Sequence, residues 1–255
     1  MTTTTSPWFT TPGPGIRAAP ALPLFCLPHA GAGPAVFRAW PAGLDERVEV
    51  VAVQYPGRAA RIAEPAEESI RRLAERVAGP VAERTGTAPY ALFGHSMGAL
   101  AAFELARVLS GLGRPPRHLV VSGQTPPHHY RPTGVHALPD EEFREAVVAL
   151  AGTEPGVLAS PTLWEMLLPI LRADFRACET YEYAAGALLT TDLTVVSGDD
   201  DPTVDTATLD RWAELTEGRT SVHVLPGGHF YLTERPAAVL DVIGAALGPL
   251  LLESP

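Results

Sequence analysis

The chain has 255 residues, 46% of them hydrophobic and 19% charged, which is enough for one large domain with a sizeable core and too apolar for a disordered chain. A net charge of -10 argues against nucleic acid or an anionic membrane surface as the partner. Cys26 and Cys178 are the only cysteines, too few for a disulfide framework and wrongly spaced for a metal site, so both are expected to be free, buried thiols.

Residues 1–15 are rich in Thr, Pro and Gly, without a basic or an apolar stretch, and read as a flexible tail ahead of a single domain over 16–255. The first strand candidate is 21–27, followed by a loop of small residues, Pro28-His29-Ala30-Gly31-Ala32-Gly33. The second is 48–53, V-E-V-V-A-V. Ile70, Leu73 and Val77 then recur at helical spacing, and Gly79-Pro80 is expected to bend or end that helix. Further strands are expected at 90–93, 118–122, 193–197 and 221–225, with helices at 97–109, 209–215 and 237–251. Near-continuous apolar runs suit parallel strands covered on both faces, and the alternation of strand and helix implies a mostly parallel, doubly wound α/β sheet. No run is long and apolar enough to span a bilayer, and a cytoplasmic location is expected.

Residues 126–185 break the alternation, with helical patterns at 141–150, 161–171 and 173–183. Such an insertion is expected to lie over the strand ends as a helical lid. Leu163, Trp164, Leu167 and Leu168 are apolar at helical spacing, as residues of a core or of a pocket lining would be.

Gly94-His95-Ser96-Met97-Gly98 follows a strand and precedes a helix. That is the context of a nucleophile elbow, a strained turn that lifts a serine to the carboxyl edge of the sheet. A serine needs a base at neutral pH. His229, in Pro226-Gly227-Gly228-His229-Phe230, is the last histidine of the chain, as the order serine, acid, histidine requires. The acid must fall between them, and Asp199, Asp200 and Asp201 stand in a row. Asp201 is preferred because Pro202 holds it extended, leaving Asp199 and Asp200 as solvated loop residues, with a shift of one position left open. Oxyanion donors are expected from the backbone N–H of Met97 and from the loop 28–33. His128 and His129 lack further ligands for a metal, and no cofactor is required.

With these residues in view, the chain resembles the stand-alone type II thioesterases of polyketide and nonribosomal peptide synthesis, from about residue 24 to 232. The specific segments are Leu27-Pro28-His29-Ala30-Gly31, Gln54-Tyr55-Pro56-Gly57-Arg58 with Arg61, and Leu168-Pro169-Ile170-Leu171-Arg172-Ala173-Asp174-Phe175, alongside the serine, acid and histidine loops. The resemblance implies an α/β-hydrolase fold with a mobile lid at 126–185. It implies hydrolysis of acyl groups from the phosphopantetheine arm of acyl or peptidyl carrier proteins, with Ser96, Asp201 and His229 as triad and Ala30 as second oxyanion donor. Ala32 stands where the family commonly has glycine, and Pro126 where it commonly has alanine. Arg172 and Asp174 are expected to form an ion pair within the lid. Arg58 and Arg61 are candidates for a carrier-docking patch or for bracing their own loop. Other readings are a hydrolase of a free small-molecule ester or lactone, a product-releasing cyclase, and a non-catalytic carrier-binding protein.

Overall fold

The short apolar runs become the strands of one sheet in a computed structural model of the chain, which describes residues 6–12, 22–150 and 160–252. The strands are β1 (Phe9–Thr10), β2 (Leu22–Leu27), β3 (Val48–Val53), β4 (Ala91–His95), β5 (His118–Ser122), β6 (Asp192–Gly198) and β7 (Thr220–Leu225). Their order is β1-β3-β2-β4-β5-β6-β7, antiparallel between β1 and β3 and parallel elsewhere. Alternate residues of β2 serve opposite faces. Phe25 and Leu27 join the core beneath α1 (Ile70–Thr85) and α2 (Met97–Gly111), while Leu22, Leu24 and Cys26 join the core on the other face. That second face is closed by Phe37, Trp40 and a C-terminal helix, Pro236–Leu252.

After β2 the chain moves outward to β3, then crosses back to place β4 on the other side of β2. The carboxyl ends of β2 and β4 therefore flank the topological switch point, where open α/β sheets bind ligands. This is the α/β-hydrolase arrangement. Between β5 and β6 lie α3 (Asp140–Ala149) and α4 (Pro161–Glu179), with a small core of their own made by Phe143, Val147, Trp164 and Leu171.

The structure sharpens three expectations about the elements. Gly79-Pro80 does not end α1, which runs on to Thr85. Pro80 forfeits one backbone hydrogen bond, but Val77 and Val81 on either side of it are buried, and that packing holds the helix. The patterns at 161–171 and 173–183 merge into a single helix that stops at Glu179, and the charged residues at their junction, Arg172 and Asp174, have partners. Arg172 reaches Asp140 and the carbonyls of His136 and Leu138, and Asp174 is buried against Arg58. The stretch 206–215 is a run of 3-10 turns that buries Leu209, Trp212 and Leu215.

The N-terminal segment is also not loose over its described part. Phe9 pairs with Val53, Trp8 and Phe9 are buried, and the Trp8 carbonyl accepts the Gln54 N–H at 2.8 Å. The Phe9 ring lies 5.2 Å from that of Phe25, and the Arg61 guanidinium sits 3.8 Å over the Trp8 ring. Two aromatic side chains anchor a segment whose composition is otherwise that of a tail. Phe9→Ala is expected to cost about 3 kcal/mol in a urea titration, whereas an unattached tail would leave the midpoint unchanged.

Candidate active site

Ser96 follows β4 directly and precedes α2, with φ 55° and ψ -117°. This strained conformation survives because glycine stands two residues to either side. A Cβ on Gly94 would fall 2.0 Å from the Gly98 carbonyl oxygen, and a Cβ on Gly98 would fall 2.1 Å from that of Leu27. The turn is tied to β5 by the Ser96 N–H, which donates to the Ser122 carbonyl at 2.8 Å. At the head of α2 the free N–H groups favour negative charge.

The loops after β6 and β7 bring the other two groups to this serine. His229 Nε2 is 3.0 Å from Ser96 Oγ, and His229 Nδ1 is 2.7 Å from Asp201 Oδ2. Asp201 is thus the aspartate that meets the imidazole. Burial by itself raises the Asp201 carboxyl. The hydrogen bond and charge of His229 outweigh it, with two bonds from Thr203, and hold the group below the usual aspartate range. Thr203 gives its N–H at 2.9 Å and its hydroxyl at 2.7 Å to Asp201 Oδ1. Sequence reasoning missed this residue, although Asp-Pro-Thr is an Asx-turn signal that also selects Asp201 from its neighbours. Asp199 is not merely solvated either. Its Oδ1 accepts the Gly227 N–H at 2.8 Å and so braces the loop that carries His229.

A cavity of about 750 Å³ opens over these groups. Ala30, Ser96 and His229 lie on its wall with Gln124, Tyr130 and Thr203, and the helical insertion contributes Ala146, Leu150, Phe175 and Glu179. A smaller recess, lined by His29, Leu171, Phe175 and Phe230 among others, meets it at Ser96. Among the described residues the backbone N–H groups of Ala30 and Met97 have no protein acceptor. Such an arrangement can deprotonate a hydroxyl and hold the resulting imidazolium against a carboxylate.

A family model described as thioesterase domain matches residues 22–247. The chain belongs to the thioesterase domain family. It is 38% identical over 234 residues to the probable cadicidin biosynthesis thioesterase of Streptomyces griseus, covering 91% of this chain and 64% of that protein. It is 38% identical to thioesterase PikA5 of Streptomyces venezuelae, covering 84% of this chain and 77% of that one. The structure of the type II thioesterase BorB from the borrelidin biosynthetic cluster superimposes with a TM-score of 0.86 at 39% identity, over 94% of this chain and 97% of that one. Among the described residues of this thioesterase, no helix is long and apolar enough to cross a membrane.

Several candidate residues turn out to serve the frame of the site. Arg58 and Arg61 are each 5% exposed and cannot form a docking patch. Arg58 makes a two-pronged pair with Asp174, both bonds at 2.7 Å, and Arg61 binds Glu64 and the Gln54 carbonyl. Asp174 therefore pairs with Arg58 rather than with Arg172. Leu163 is exposed, while Trp164, Leu167 and Leu168 pack in the small core of the insertion and not on the cavity wall. Cys26 is buried as expected, but Cys178 is half-buried and borders the cavity; burial pushes both thiols up, so both stay protonated. His128 and His129 do meet a third metal-ligating group, Glu214. That carboxylate is already shared between His128 and Arg211, which satisfies it without an ion.

Two further histidines stand behind His229. The His95 ring is 5.0 Å from that of His229 and 5.7 Å from that of His29. His95 Nδ1 bonds Ser122 Oγ at 2.9 Å, which bonds the Tyr231 hydroxyl at 2.6 Å. Burial, then the charge of His229, drives His95 well below the ordinary histidine range and His29 down to about 3. Both are therefore held neutral behind the His229 ring. Between the ordinary value near 6.5 and about 3, the unfolded chain binds a proton at His29 that the folded protein refuses. Stability from this group therefore falls as pH drops through that window. His29→Gln is expected to make the acid side of a Tm-against-pH curve shallower, and an unchanged slope would show that His29 is not buried neutral.

Proposed function

We propose that this thioesterase hydrolyses acyl groups from the phosphopantetheine arm of acyl or peptidyl carrier proteins, clearing stalled or misloaded polyketide or nonribosomal peptide synthases in the cytoplasm. Ser96 is the nucleophile, His229 the base and Asp201 the acid that orients it. The N–H groups of Ala30 and Met97 form the oxyanion hole. The observation that carries the proposal is the hydrogen-bonded chain Ser96–His229–Asp201, at 3.0 and 2.7 Å, open to a cavity of about 750 Å³. The names of the relatives, biosynthetic and type II thioesterases, supply the substrate class.

His229 removes the Ser96 proton as Oγ attacks the thioester carbonyl. Charge gathers on the carbonyl oxygen, where the two N–H donors and the head of α2 stabilise it. The C–S bond then breaks, and His229 returns its proton to the leaving thiol. Water attacks the acyl-serine with His229 again as base, releasing the carboxylic acid and restoring Ser96. The insertion over 126–185 acts as a lid. Its Ala146, Leu150 and Phe175 give the acyl chain an apolar wall, and its movement admits the pantetheine arm.

Ser96→Ala and His229→Ala are each expected to lower turnover of an acyl-pantetheine thioester by on the order of 10³–10⁶ while leaving Tm unchanged. Folded Ser96→Ala protein with near-normal turnover would refute the mechanism. The partner has its own test. Acyl-carrier protein should be hydrolysed with higher kcat/KM than the matching acyl-CoA, since both present the same arm and differ only in what holds it. Equal values would remove the carrier from the proposal, and faster cleavage of oxyesters would replace the substrate class.

A further inference from the structure

We infer that Asp174, on the helical insertion, is a positioning residue of the oxyanion hole, seating the turn that carries the Ala30 N–H through its bond to Gly31. The inference rests on the proposed thioester chemistry and adds a residue to it.

The turn is defined at every peptide. The Ala32 N–H donates to the His29 carbonyl at 3.1 Å, and Gly31 has φ 75°, the pattern of a type II turn over His29–Ala32. Because a trans peptide points its C=O and N–H in opposite directions, the His29 carbonyl bond turns the Ala30 N–H away from the turn's interior. Ahead of the turn, the Tyr55 hydroxyl donates to the Pro28 carbonyl at 3.2 Å. The middle peptide has no partner within the turn. Its Gly31 N–H donates at 2.7 Å to Asp174 Oδ2, 143 residues away on α4.

Asp174 is itself held from the sheet side. It is 1% exposed, and Arg58 gives it one hydrogen bond to each oxygen while donating a third, at 3.0 Å, to the Ala32 carbonyl. Arg58, Asp174 and the turn thus form a closed ring of bonds. Leu171, one helical turn before Asp174, packs so closely on Gly31 that a Cβ there would lie 2.5 Å from its Cδ2. Glycine gives residue 31 wide conformational freedom, so the external acceptor adds to the turn's own Ala32–His29 bond in fixing where the turn sits.

An ion pair serving only stability predicts a different outcome from a positioning device. Removing one buried charge strands the other, but replacing both with apolar groups is often tolerated. The double variant Arg58→Met/Asp174→Leu is therefore the main probe. It is expected to keep Tm within a few degrees of the parent protein and KM for an acyl-pantetheine thioester within about twofold. Its kcat should fall by roughly 10- to 100-fold, the scale of an oxyanion donor displaced by about an ångström. The Ki of a trifluoromethyl ketone analogue, which Ser96 converts to a tetrahedral oxyanion, should rise by the same factor. Asp174→Asn is the conservative rescue, since its amide oxygen can take the place where Gly31 and Arg58 both donate. It should hold kcat within several-fold even where Tm drops, and it remains a decisive comparison should the double variant not fold. A folded double variant with parental kcat and Ki overturns the inference, as does Asp174→Asn losing kcat as deeply as Asp174→Leu. Absence of thioester hydrolysis in the parent protein would instead overturn the proposed function.

Discussion

The carbonyl oxygen of Leu27, at the end of β2, lies 2.1 Å from where any Cβ on Gly98 would stand. That contact lets the first turn of α2 press against the neighbouring strand, and a second one, between Gly94 and the Gly98 carbonyl, closes the turn on itself. With no side chain at either place, Ser96 is driven to φ 55° and its hydroxyl is raised above the sheet. Strain of this kind costs on the order of 1–3 kcal/mol and persists only where the surroundings enforce it. The enforcing parts are the two buried cores on either side of β4.

Everything else in the site is arranged around that fixed hydroxyl. Four separate loops converge on it: after β2 with Ala30, after β4 with Ser96, after β6 with Asp201, and after β7 with His229. Each is braced by a group that does no chemistry in the proposed mechanism. Asp174 and Arg58 brace the first, the Ser122 carbonyl the second, Thr203 the third and Asp199 the fourth. The helical insertion is part of this frame as well as a cover, since Asp174 and Leu171 of α4 rest on the first loop.

Local pattern made much of this legible. The β-branched run at 48–53 and the apolar runs before Ser96 and Asp199 announced their strands because period and composition agree there. Ser96 and His229 could be named from glycine-flanked loops and chain order. Asp201 rested on Pro202, although the nearer clue is the turn chemistry of Thr203. What stayed hidden depends on distant partners. Trp8 and Phe9 sit in a tail-like composition, and distant partners such as Val53, Arg61 and Phe25 give them a place. Arg58 looks like a surface charge until Asp174, 116 residues on, is brought against it. The chain's net charge of -10 is unfavourable for long-range attraction to an acidic carrier, and burial of Arg58 and Arg61 leaves that pair out of any compensating patch.

The proposed mechanism stands or falls on whether Ser96 itself carries the acyl group. A rapid-quench experiment with an acyl-pantetheine thioester, followed by intact mass and peptide mapping, addresses this directly. Covalent catalysis by Ser96 predicts a burst of free thiol matched by an acyl adduct on the peptide containing Ser96, with both absent in Ser96→Ala. Steady thiol release with no adduct at any quench time, unchanged in Ser96→Ala, would contradict it.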